Sequence, residues 1–254
     1  MSNSNSPLPS CSPFQSESVA AMPLIHLTEV KLAPRTSLCL LVDLSDFSLT
    51  GLRHLESLLS SSERQQYANI VADTERRQRQ ATRAVLRLVL GQVTGVSPAQ
   101  VPLGMGKHGK PYMISPGVVN FSVSHSQSYS LIALSRCDVI GCDIEGRFQD
   151  DDVHRLGPVV LHAAELESMR GLKNLDLREA FMRCWVRKEA VLKAMGTGLG
   201  ADPRRVMVGS GYASAGCTGP QERQLHLHDG PAVAGCMTAV ASEDPTCNWY
   251  SLAV

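Results

Sequence analysis

The sequence predicts a mixed fold of helices and short antiparallel strands. Two long segments carry the apolar periodicity of amphipathic helices, one from about residue 63 to 92 and the other from about 177 to 195. Between and after them lie short runs rich in apolar residues and separated by tight turns, a pattern typical of antiparallel sheets. With 254 residues, the chain can form one large domain or two smaller ones.

The composition argues against several classes of protein. Lys and Arg together number 24, as do Asp and Glu, and this balance does not favour a globally basic nucleic-acid binder. No apolar run reaches the roughly 18 residues of a membrane span, so we expect neither nucleic acid nor membrane as a partner. The eight cysteines are scattered without a C-x-x-C pair, which indicates reduced thiols in a cytoplasmic protein and not a disulfide framework.

The N-terminal part begins with a polar segment. Residues 1–21 are rich in Ser, Pro and Asn and contain no Lys or Arg, which predicts a disordered tail and no secretory signal. The apolar run 38–44 predicts a buried strand, and a helical pattern follows over 49–59. Ser62 and its serine neighbours are the expected N-cap of the long helix, with a break near Asp73.

Arginines are concentrated in this long helix. Arg79, Arg83 and Arg87 are spaced i, i+4 and i+8 and therefore lie on one face. Such a stripe can bind a polyanion such as a nucleotide phosphate, because each guanidinium donates several hydrogen bonds to phosphate oxygens. The same spacing also fits a solvated helix face, which the pattern alone favours.

The middle of the chain predicts three short strands. Residues 118–126 alternate apolar and small polar residues and lead into a polar corner at Ser124 and His125. Residues 129–135 and 140–145 read as the next two strands, and tight turns suggest an antiparallel meander. A Gly- and Lys-rich turn that contains Lys110 precedes them, but it lacks the spacing of a P-loop.

The third of these strands carries two acids. Asp143 and Glu145 are two residues apart and therefore lie on one face, whereas Cys142 and Ile144 lie on the other. Two adjacent carboxylates repel each other unless a cation or a shared proton lies between them. Carboxylates of this kind suit Mg²⁺, although a strand end with two solvated acids fits the same pattern.

The C-terminal part predicts a short helix at 163–170 and then the helix at 177–195. We expect Asp176 to cap this helix, with Glu179 completing a capping box, and Gly196 to end it. Four strands are expected to complete a second small sheet, at 204–208, 224–228, 232–241 and 249–254.

One face of the 177–195 helix is unusual. Trp185, Glu189 and Lys193 are spaced i, i+4 and i+8 and lie above one another. A Glu–Lys pair at this spacing is normally a surface salt bridge worth a few tenths of a kcal/mol. An indole on the same face is not typical of a fully solvated helix.

Four motifs occur together in one order and resemble those of a known family. They are Gly109-Lys110-Pro111, then Phe121 to Ser126, then Ile140-Gly141-Cys142-Asp143-Ile144-Glu145, and last the run from Trp185 to Leu199. Over about residues 38–254 the chain resembles the 4′-phosphopantetheinyl transferases of the long, pseudo-dimeric (Sfp-type) branch. Two departures are mild: Val186 stands where the family often has Ser, Thr or Cys, and Ser122 where Asn is common.

The resemblance implies an α+β fold with two similar α+β halves about a pseudo-twofold and the active site in the cleft between them. Residues 22–138 would form the half with nucleotide contacts, and residues 139–254 the half with metal and catalytic residues. The implied reaction moves the 4′-phosphopantetheine arm of coenzyme A to a serine of an apo acyl or peptidyl carrier protein, releasing adenosine 3′,5′-bisphosphate. Mg²⁺, or alternatively Mn²⁺, would be the cofactor, and the protein would be a monomer.

The resemblance also implies residue roles. Asp143, Glu145 and Glu189 would hold the metal, Glu189 would accept the proton of the attacking serine, and Lys193 would stabilise the leaving phosphate. Lys188 is a secondary candidate for contact with the phosphates. The residues expected to contact coenzyme A are Arg64, Arg83, Lys110, Ser124, His125, Asp143, Lys188 and Lys193.

Three alternatives compete with this interpretation. A metal-dependent phosphohydrolase would use the same acids but would need no acceptor protein. A catalytically inactive relative would bind only coenzyme A or a carrier protein, yet all three expected carboxylates are present. A nucleic-acid binder built on the arginine helix is disfavoured by zero net charge and by an aromatic content of only 5%.

Overall fold

The computed structural model describes residues 22–45, 49–106, 109–114, 119–137, 139–146, 148–197, 200–210, 216–218 and 224–253. The segment expected to be disordered, residues 1–21, lies outside the described residues. The expected mixture of helices and strands is confirmed. Among the described residues, no helix combines the length and the apolar character that crossing a membrane requires.

Runs of strands and runs of helices follow one another along the chain. The strands are β1 (Leu24–His26), β2 (Thr36–Asp43), β3 (Leu103–Met105), β4 (Pro111–Met113), β5 (Asn120–Ser126), β6 (Tyr129–Ser135), β7 (Ile140–Gly146), β8 (Gly216–Thr218), β9 (Gln224–Asp229), β10 (Cys236–Ser242) and β11 (Thr246–Ala253). The α-helices are α1 (Leu49–Ser57), α2 (Ser61–Ala68), α3 (Asp73–Thr94), α4 (Asp150–Val160), α5 (Ala163–Ser168) and α6 (Asn174–Ala194).

Two main sheets organise the fold. The first has the strand order β1-β11-β2-β6-β5, and the second has the order β7-β10-β9-β8. In the first sheet β11 is parallel to both of its neighbours, whereas β6 is antiparallel to β2 and β5. The second sheet is antiparallel throughout, and β3 and β4 form a separate hairpin.

Within the described part of the chain, three hydrophobic clusters stack these elements in layers. One lies between α3 and the first sheet, with Leu86 and Ile132 among its members, and another lies between α6 and the second sheet, with Phe181 and Ala239. The third fills the space between the two sheets, where Cys142 is fully buried. Each sheet therefore has one face against a helix and the other against its fellow sheet. The pseudo-twofold relation and the division at residues 138 and 139 stay predictions.

Two expected strand pairings were wrong. β5 and β6 pair as expected, but β7 pairs with β10 in the second sheet, so the three strands are not one meander. The strand at the C-terminus, β11, joins the first sheet instead of the second. The physical reason lies in β2, whose central residues are buried on both faces. Its backbone groups therefore need a partner strand on each edge, and β6 supplies only one of the two.

A third strand prediction was also wrong, because the segment expected at 204–208 contains a 3₁₀ turn, Pro203–Arg205, followed by irregular chain. The prediction of the helix break near Asp73 is confirmed, since α2 ends at Ala68 and α3 begins at Asp73. Within the expected group of serines, Ser60 is the N-cap of α2, and its hydroxyl accepts a hydrogen bond from the Glu63 N–H at 3.2 Å.

The boundaries of α6 were predicted better at one end than at the other. The helix begins at Asn174, one turn earlier than expected, so Asp176 is not its N-cap. At the other end Gly196 has φ of +68° and its N–H donates to Lys193 O at 3.1 Å, while Thr197 N–H donates to Leu192 O at 3.2 Å. This is a Schellman motif, in which a glycine at positive φ ends a helix, as predicted.

Candidate functional site

The acids of β7 face α6 because one glycine lets the two elements approach closely. A Cβ atom on Gly141 would lie 2.0 Å from Ala190 O and 2.3 Å from Ala194 N, so only glycine fits this position. Asp143 and Glu145 follow on the same face of the strand, and Cys142 and Ile144 pack between the sheets. The sequence-based prediction that the two acids share a face is consistent with this packing.

Asp143, Lys193 and Ser124 form a closed triangle of hydrogen bonds. The Lys193 ammonium donates to Asp143 Oδ1 at 2.6 Å and to Ser124 Oγ at 2.9 Å, and Ser124 Oγ donates to Asp143 Oδ1 at 2.8 Å. The Asp143 carboxylate is almost fully buried. Residues from β5, β7 and α6 therefore meet at one point, where the first sheet adjoins the second.

Alternate serines of β5 line the same junction. Ser122 Oγ accepts a hydrogen bond from the Cys142 N–H at 3.0 Å, and Ser126 Oγ donates to Glu145 Oε1 at 3.1 Å. The roles of Ser122 and Ser126 were missed at the sequence level. The signal was available in the period-two spacing of serines 122, 124 and 126, because alternate residues of a strand share a face.

Charges of both signs are concentrated here. Burial raises the pKa of Glu189, and the negative charges of Asp143 and Glu145 raise it further against the opposing charge of Lys193. Burial works against the charged form of Lys193, but the Asp143 carboxylate outweighs it, so the pKa of Lys193 is raised. The three predicted carboxylates thus interact electrostatically, and Lys193 is the cation that neutralises Asp143.

Lys110 lies at the edge of the same site but is engaged with the backbone. Its ammonium donates to Ile140 O at 3.0 Å and to Lys193 O at 2.6 Å, joining the start of β7 to the end of α6. Burial lowers the pKa of Lys110, with the Lys193 charge adding to that effect and Cys142 opposing it. Lys110 therefore positions the backbone of both elements that carry the site.

His125 points away from the triangle. It follows Ser124 on β5, so its side chain lies on the opposite face of the strand. Burial lowers the pKa of His125, and the positive charges of Arg79 and Lys193 lower it further. Arg79 is a basic neighbour that the sequence-based assignment did not choose, although its place in the arginine stripe was the available signal.

Arg64 and Arg83, two other predicted contacts for coenzyme A, lie away from the acidic cluster. Arg83 and Arg87 are buried against α2, where their Nε atoms lie 3.6 and 2.8 Å from the Glu63 carboxylate, and Arg83 also donates to the Tyr67 hydroxyl at 3.2 Å. Arg64 is exposed and donates to Leu59 O. The structure does not bring Arg64 or Arg83 to the carboxylate cluster, because most of the arginine stripe holds α2 against α3.

Lys188 requires a correction. Its ammonium is buried and lies 2.8 Å from Glu165 Oε2, and it also donates to Pro203 O at 3.0 Å. Successive residues of a helix point about 100° apart, so Lys188 faces α5 while Glu189 faces the acidic cluster. The expected contact of Lys188 with phosphates therefore does not fit the structure, and Lys188 is part of the C-terminal core.

The side chains of the site also bear on metal binding. Among the described residues, no group of three or more acidic, histidine or cysteine side chains is arranged to hold one. The donor chemistry nevertheless suits Mg²⁺, since the interacting side chains of Asp143, Glu145 and Glu189 are all carboxylates.

Comparisons with known proteins match this part of the chain. The sequence model of the 4′-phosphopantetheinyl transferase superfamily matches residues 139–233. The chain is 33% identical over 151 residues to the 4′-phosphopantetheinyl transferase HetI of Nostoc sp., and this alignment covers 58% of this chain and 64% of that protein. It is 29% identical over 127 residues to the 4′-phosphopantetheinyl transferase AcpT of Salmonella typhimurium, covering 50% and 65% of the two chains.

A eukaryotic relative matches over a similar length. The L-aminoadipate-semialdehyde dehydrogenase-phosphopantetheinyl transferase of Schizosaccharomyces pombe is 26% identical over 167 residues, covering 59% of this chain and 64% of that protein. Each of these alignments spans less than two thirds of the relative's own length. The resemblance to 4′-phosphopantetheinyl transferases is confirmed, and the assignment to the long, pseudo-dimeric branch stays a prediction.

Proposed function

We propose that this chain transfers phosphopantetheine from coenzyme A to a serine of an apo acyl or peptidyl carrier protein. The premise is that residues 139–233 match the 4′-phosphopantetheinyl transferase superfamily. The observation that carries the proposal is the meeting of Asp143, Glu189 and Lys193 inside the matched segment. Each has the chemistry that phosphoryl transfer requires: a carboxylate for a cation, a base and a positive charge for phosphate oxygens.

The proposed reaction forms one bond and breaks one bond. The serine oxygen of the carrier attacks the phosphorus that bears the pantetheine arm, and the bond from that phosphorus to the bridging pyrophosphate oxygen breaks. Adenosine 3′,5′-bisphosphate leaves with the electron pair. Glu189 accepts the serine proton, directly or through a water molecule, and a positioned base of this kind is worth about 10²–10⁴-fold in rate.

Lys193 has a matching role at the leaving group. Its ammonium lies at the surface of the acidic cluster and is already held by Asp143 and Ser124. We assign it to the phosphate oxygens that gain negative charge as the bridging bond breaks, because a preorganised donor stabilises charge that develops in the transition state. Ser124 and Asp143 would hold it in place for that contact.

Asp143, Glu145 and Glu189 would hold Mg²⁺ or Mn²⁺. When bound, such an ion neutralises the pyrophosphate charge. Ser126 would orient Glu145, since its hydroxyl donates to Oε1 of that carboxylate. The support for this assignment is the carboxylate set itself, whose mutual repulsion a divalent cation would relieve.

The nucleotide of coenzyme A would lie on the side of the first sheet. We propose that Ser124, His125 and Lys110 contribute to its binding, with Arg79 as an additional contact for a phosphate. Burial lowers the pKa of His125, which favours its neutral form, so it would act as a hydrogen-bonding group. We further propose a monomer, because the chain already supplies both sides of the junction, and a cytoplasmic location, because the scattered cysteines indicate reduced thiols.

Intact-protein mass spectrometry tests the proposal. The protein is incubated with Mg²⁺, coenzyme A and a panel of apo carrier proteins, in parallel with samples that contain EDTA. We expect one carrier to gain the mass of one phosphopantetheine, and to gain none with EDTA. A gain that persists with EDTA would contradict the metal assignment.

Two further assays, calorimetric titration with coenzyme A and release of phosphate from small esters, separate the alternative functions. Binding of coenzyme A without a mass gain on any carrier would favour an inactive module that binds coenzyme A or a carrier protein. Release of phosphate from small esters without an acceptor would favour a phosphohydrolase. Absence of coenzyme A binding would contradict the proposed function itself.

A further inference from the structure

A cavity of about 380 Å³ lies beside the site and has no role in the chemistry described so far. Its walls come from the chain just after β2, from the first turns of α3 and from the turn between β5 and β6. Leu44, Thr74 and Ser128 represent these three walls. The volume lies within the range of about 300–1,000 Å³ that is typical of small-molecule pockets.

The cavity adjoins the acidic cluster through one short stretch of chain. Ser126 donates to Glu145, and the next two residues, Gln127 and Ser128, line the cavity. Two residues extend at most about 7 Å, so a ligand with its phosphates at Glu145 can place a flexible chain in the cavity. The cavity therefore lies within reach of a substrate bound at the proposed site.

The turn that forms the cavity wall has an unusual backbone. Gln127 has φ of +54°, a conformation that is uncommon for residues other than glycine. Contacts on both sides hold it, because Gln78 of α3 donates to the Gln127 carbonyl and the Gln127 side chain donates to Cys236 Sγ at 3.2 Å. These contacts hold the turn, and with it the cavity wall, between α3 and β10.

The chemistry of the walls favours a neutral ligand. Arg77 carries positive charge into the lining, but it lies 2.8 Å from the Asp73 carboxylate, which also lines the cavity. Asp73 and Glu75 lie in the first turn of α3 and offset the positive end of its dipole. A phosphate would therefore meet a carboxylate here, whereas hydroxyl and amide side chains beside Leu44 suit a chain of amides and methylenes.

We propose that this cavity holds the pantetheine arm of coenzyme A. The inference rests on the proposed function and extends it by assigning a place to the part of the substrate that is transferred. The arm is uncharged and carries two amides and a hydroxyl, which match the polar side chains Thr74, Gln78 and Ser128. Its phosphate end would lie at the acidic cluster.

Calorimetric titration with two ligands tests this assignment. Coenzyme A contains the arm, and adenosine 3′,5′-bisphosphate lacks it. Thr74→Trp and Ser128→Trp fill the cavity from opposite walls, and Thr74 is exposed, so that an indole there does not disturb the core. We expect both variants to weaken coenzyme A binding by at least about tenfold and to leave the Kd of the bisphosphate within about twofold.

Val71→Trp is the matched control, because Val71 is 96% exposed, precedes α3 and does not line the cavity. If both cavity variants bind coenzyme A with unchanged affinity, the cavity assignment is overturned. The proposed function would still stand in that case, provided that the unmodified protein modifies a carrier. Equal weakening of both ligands would also overturn it, since the cavity would then belong to the nucleotide. If the unmodified protein binds no coenzyme A, the proposed function fails and the inference fails with it.

Discussion

At the level of single residues, the charges around Asp143 are balanced within a few ångströms. Lys193 and Ser124 both donate to one oxygen of its carboxylate. Asp143 also raises the pKa of Glu189 and that of Lys193, which links all three ionisable groups. A change of charge at one of these groups must therefore change the electrostatic environment of the other two.

Asp143→Asn keeps the shape of the side chain and removes its charge. We expect transfer to carrier protein to fall by about 10²–10³-fold, because the amide neither neutralises Lys193 nor serves as a carboxylate ligand for a cation. The rate is measured by mass spectrometry of the carrier, with circular dichroism as the check on folding. Asp151→Asn, an exposed change on α4, is the control. A folded Asp143→Asn protein with full activity would exclude the metal assignment.

Lys193→Ala separates chemistry from binding. We expect turnover to fall by about 10²–10³-fold while the Kd of coenzyme A changes only a few-fold, because the ammonium is assigned to charge that develops in the transition state. Single-turnover rates and calorimetry give the two quantities. Lys173→Ala, in the exposed segment before α6, is the control. An unchanged turnover number would remove Lys193 from the mechanism.

A second ionic cluster stabilises the fold and is sensitive to pH. Burial opposes ionisation of Glu63, but the Arg87 hydrogen bond, the Ser60 N–H and the charges of Arg87 and Arg83 outweigh it, so the pKa of Glu63 is lowered. A lowered pKa in the folded state contributes stability above the unfolded pKa, and this contribution is lost as pH falls through the folded pKa.

Glu63→Gln tests this linkage. We expect the variant to have a lower free energy of unfolding than the unmodified protein at neutral pH, with a gap that narrows as the pH falls below about 4.3, the usual pKa of Glu. Urea titrations at several pH values measure the gap. A gap that stays constant down to the lowest pH at which the protein folds would contradict the assigned ion pairs.

At the level of elements, the contact between β7 and α6 positions the acidic cluster. Gly141 permits this contact, and Lys110 joins the same two elements through their carbonyl groups. On the far side of α6, Arg187 bonds to both oxygens of Asp229, and Lys188 pairs with Glu165. The helix is thus fixed on two sides, which sets the position of Glu189 relative to β7.

Gly141→Ala would separate β7 from α6. The added methyl would overlap the backbone of Ala190 and Ala194, and overpacking of this kind typically costs about 1–3 kcal/mol. We expect lower thermal stability together with loss of transfer at temperatures where the variant is folded, since Glu189 would move away from Asp143. Gly157→Ala in α4 is the control, because its nearest contact would be 3.5 Å. Full transfer by a folded Gly141→Ala variant would contradict this role for the glycine.

At the level of the whole molecule, the two sheets depend on strands that are distant in sequence. β11 comes from the C-terminal end and lies between β1 and β2 in the first sheet. Ser37 of β2 also donates to Asp244, the buried residue just before β11, at 2.9 Å. The N-terminal and C-terminal parts of the chain therefore share one sheet, and buried polar contacts such as this one join them.

Removal of residues 246–254 tests this dependence. Since β11 covers one edge of β2 and continues the sheet to β1, we expect its loss to destabilise the first sheet as well as the C-terminal part. Hydrogen exchange of the β2 amides reports the effect directly, and we expect their protection to decrease together with the melting temperature. Unchanged protection in β2 would mean that β6 alone is sufficient to hold that strand.

The sequence by itself determined the features that follow from local periodicity. The two-residue repeat of a strand put Asp143 and Glu145 on one face, the helical repeat aligned Glu189 with Lys193, and the backbone freedom of glycine ended α6 at Gly196. Only the tertiary structure decided which distant groups these faces meet. It placed β11 beside β2, buried Lys188 against Glu165 and brought β5 to β7, because strand pairing and burial depend on residues far apart in the chain.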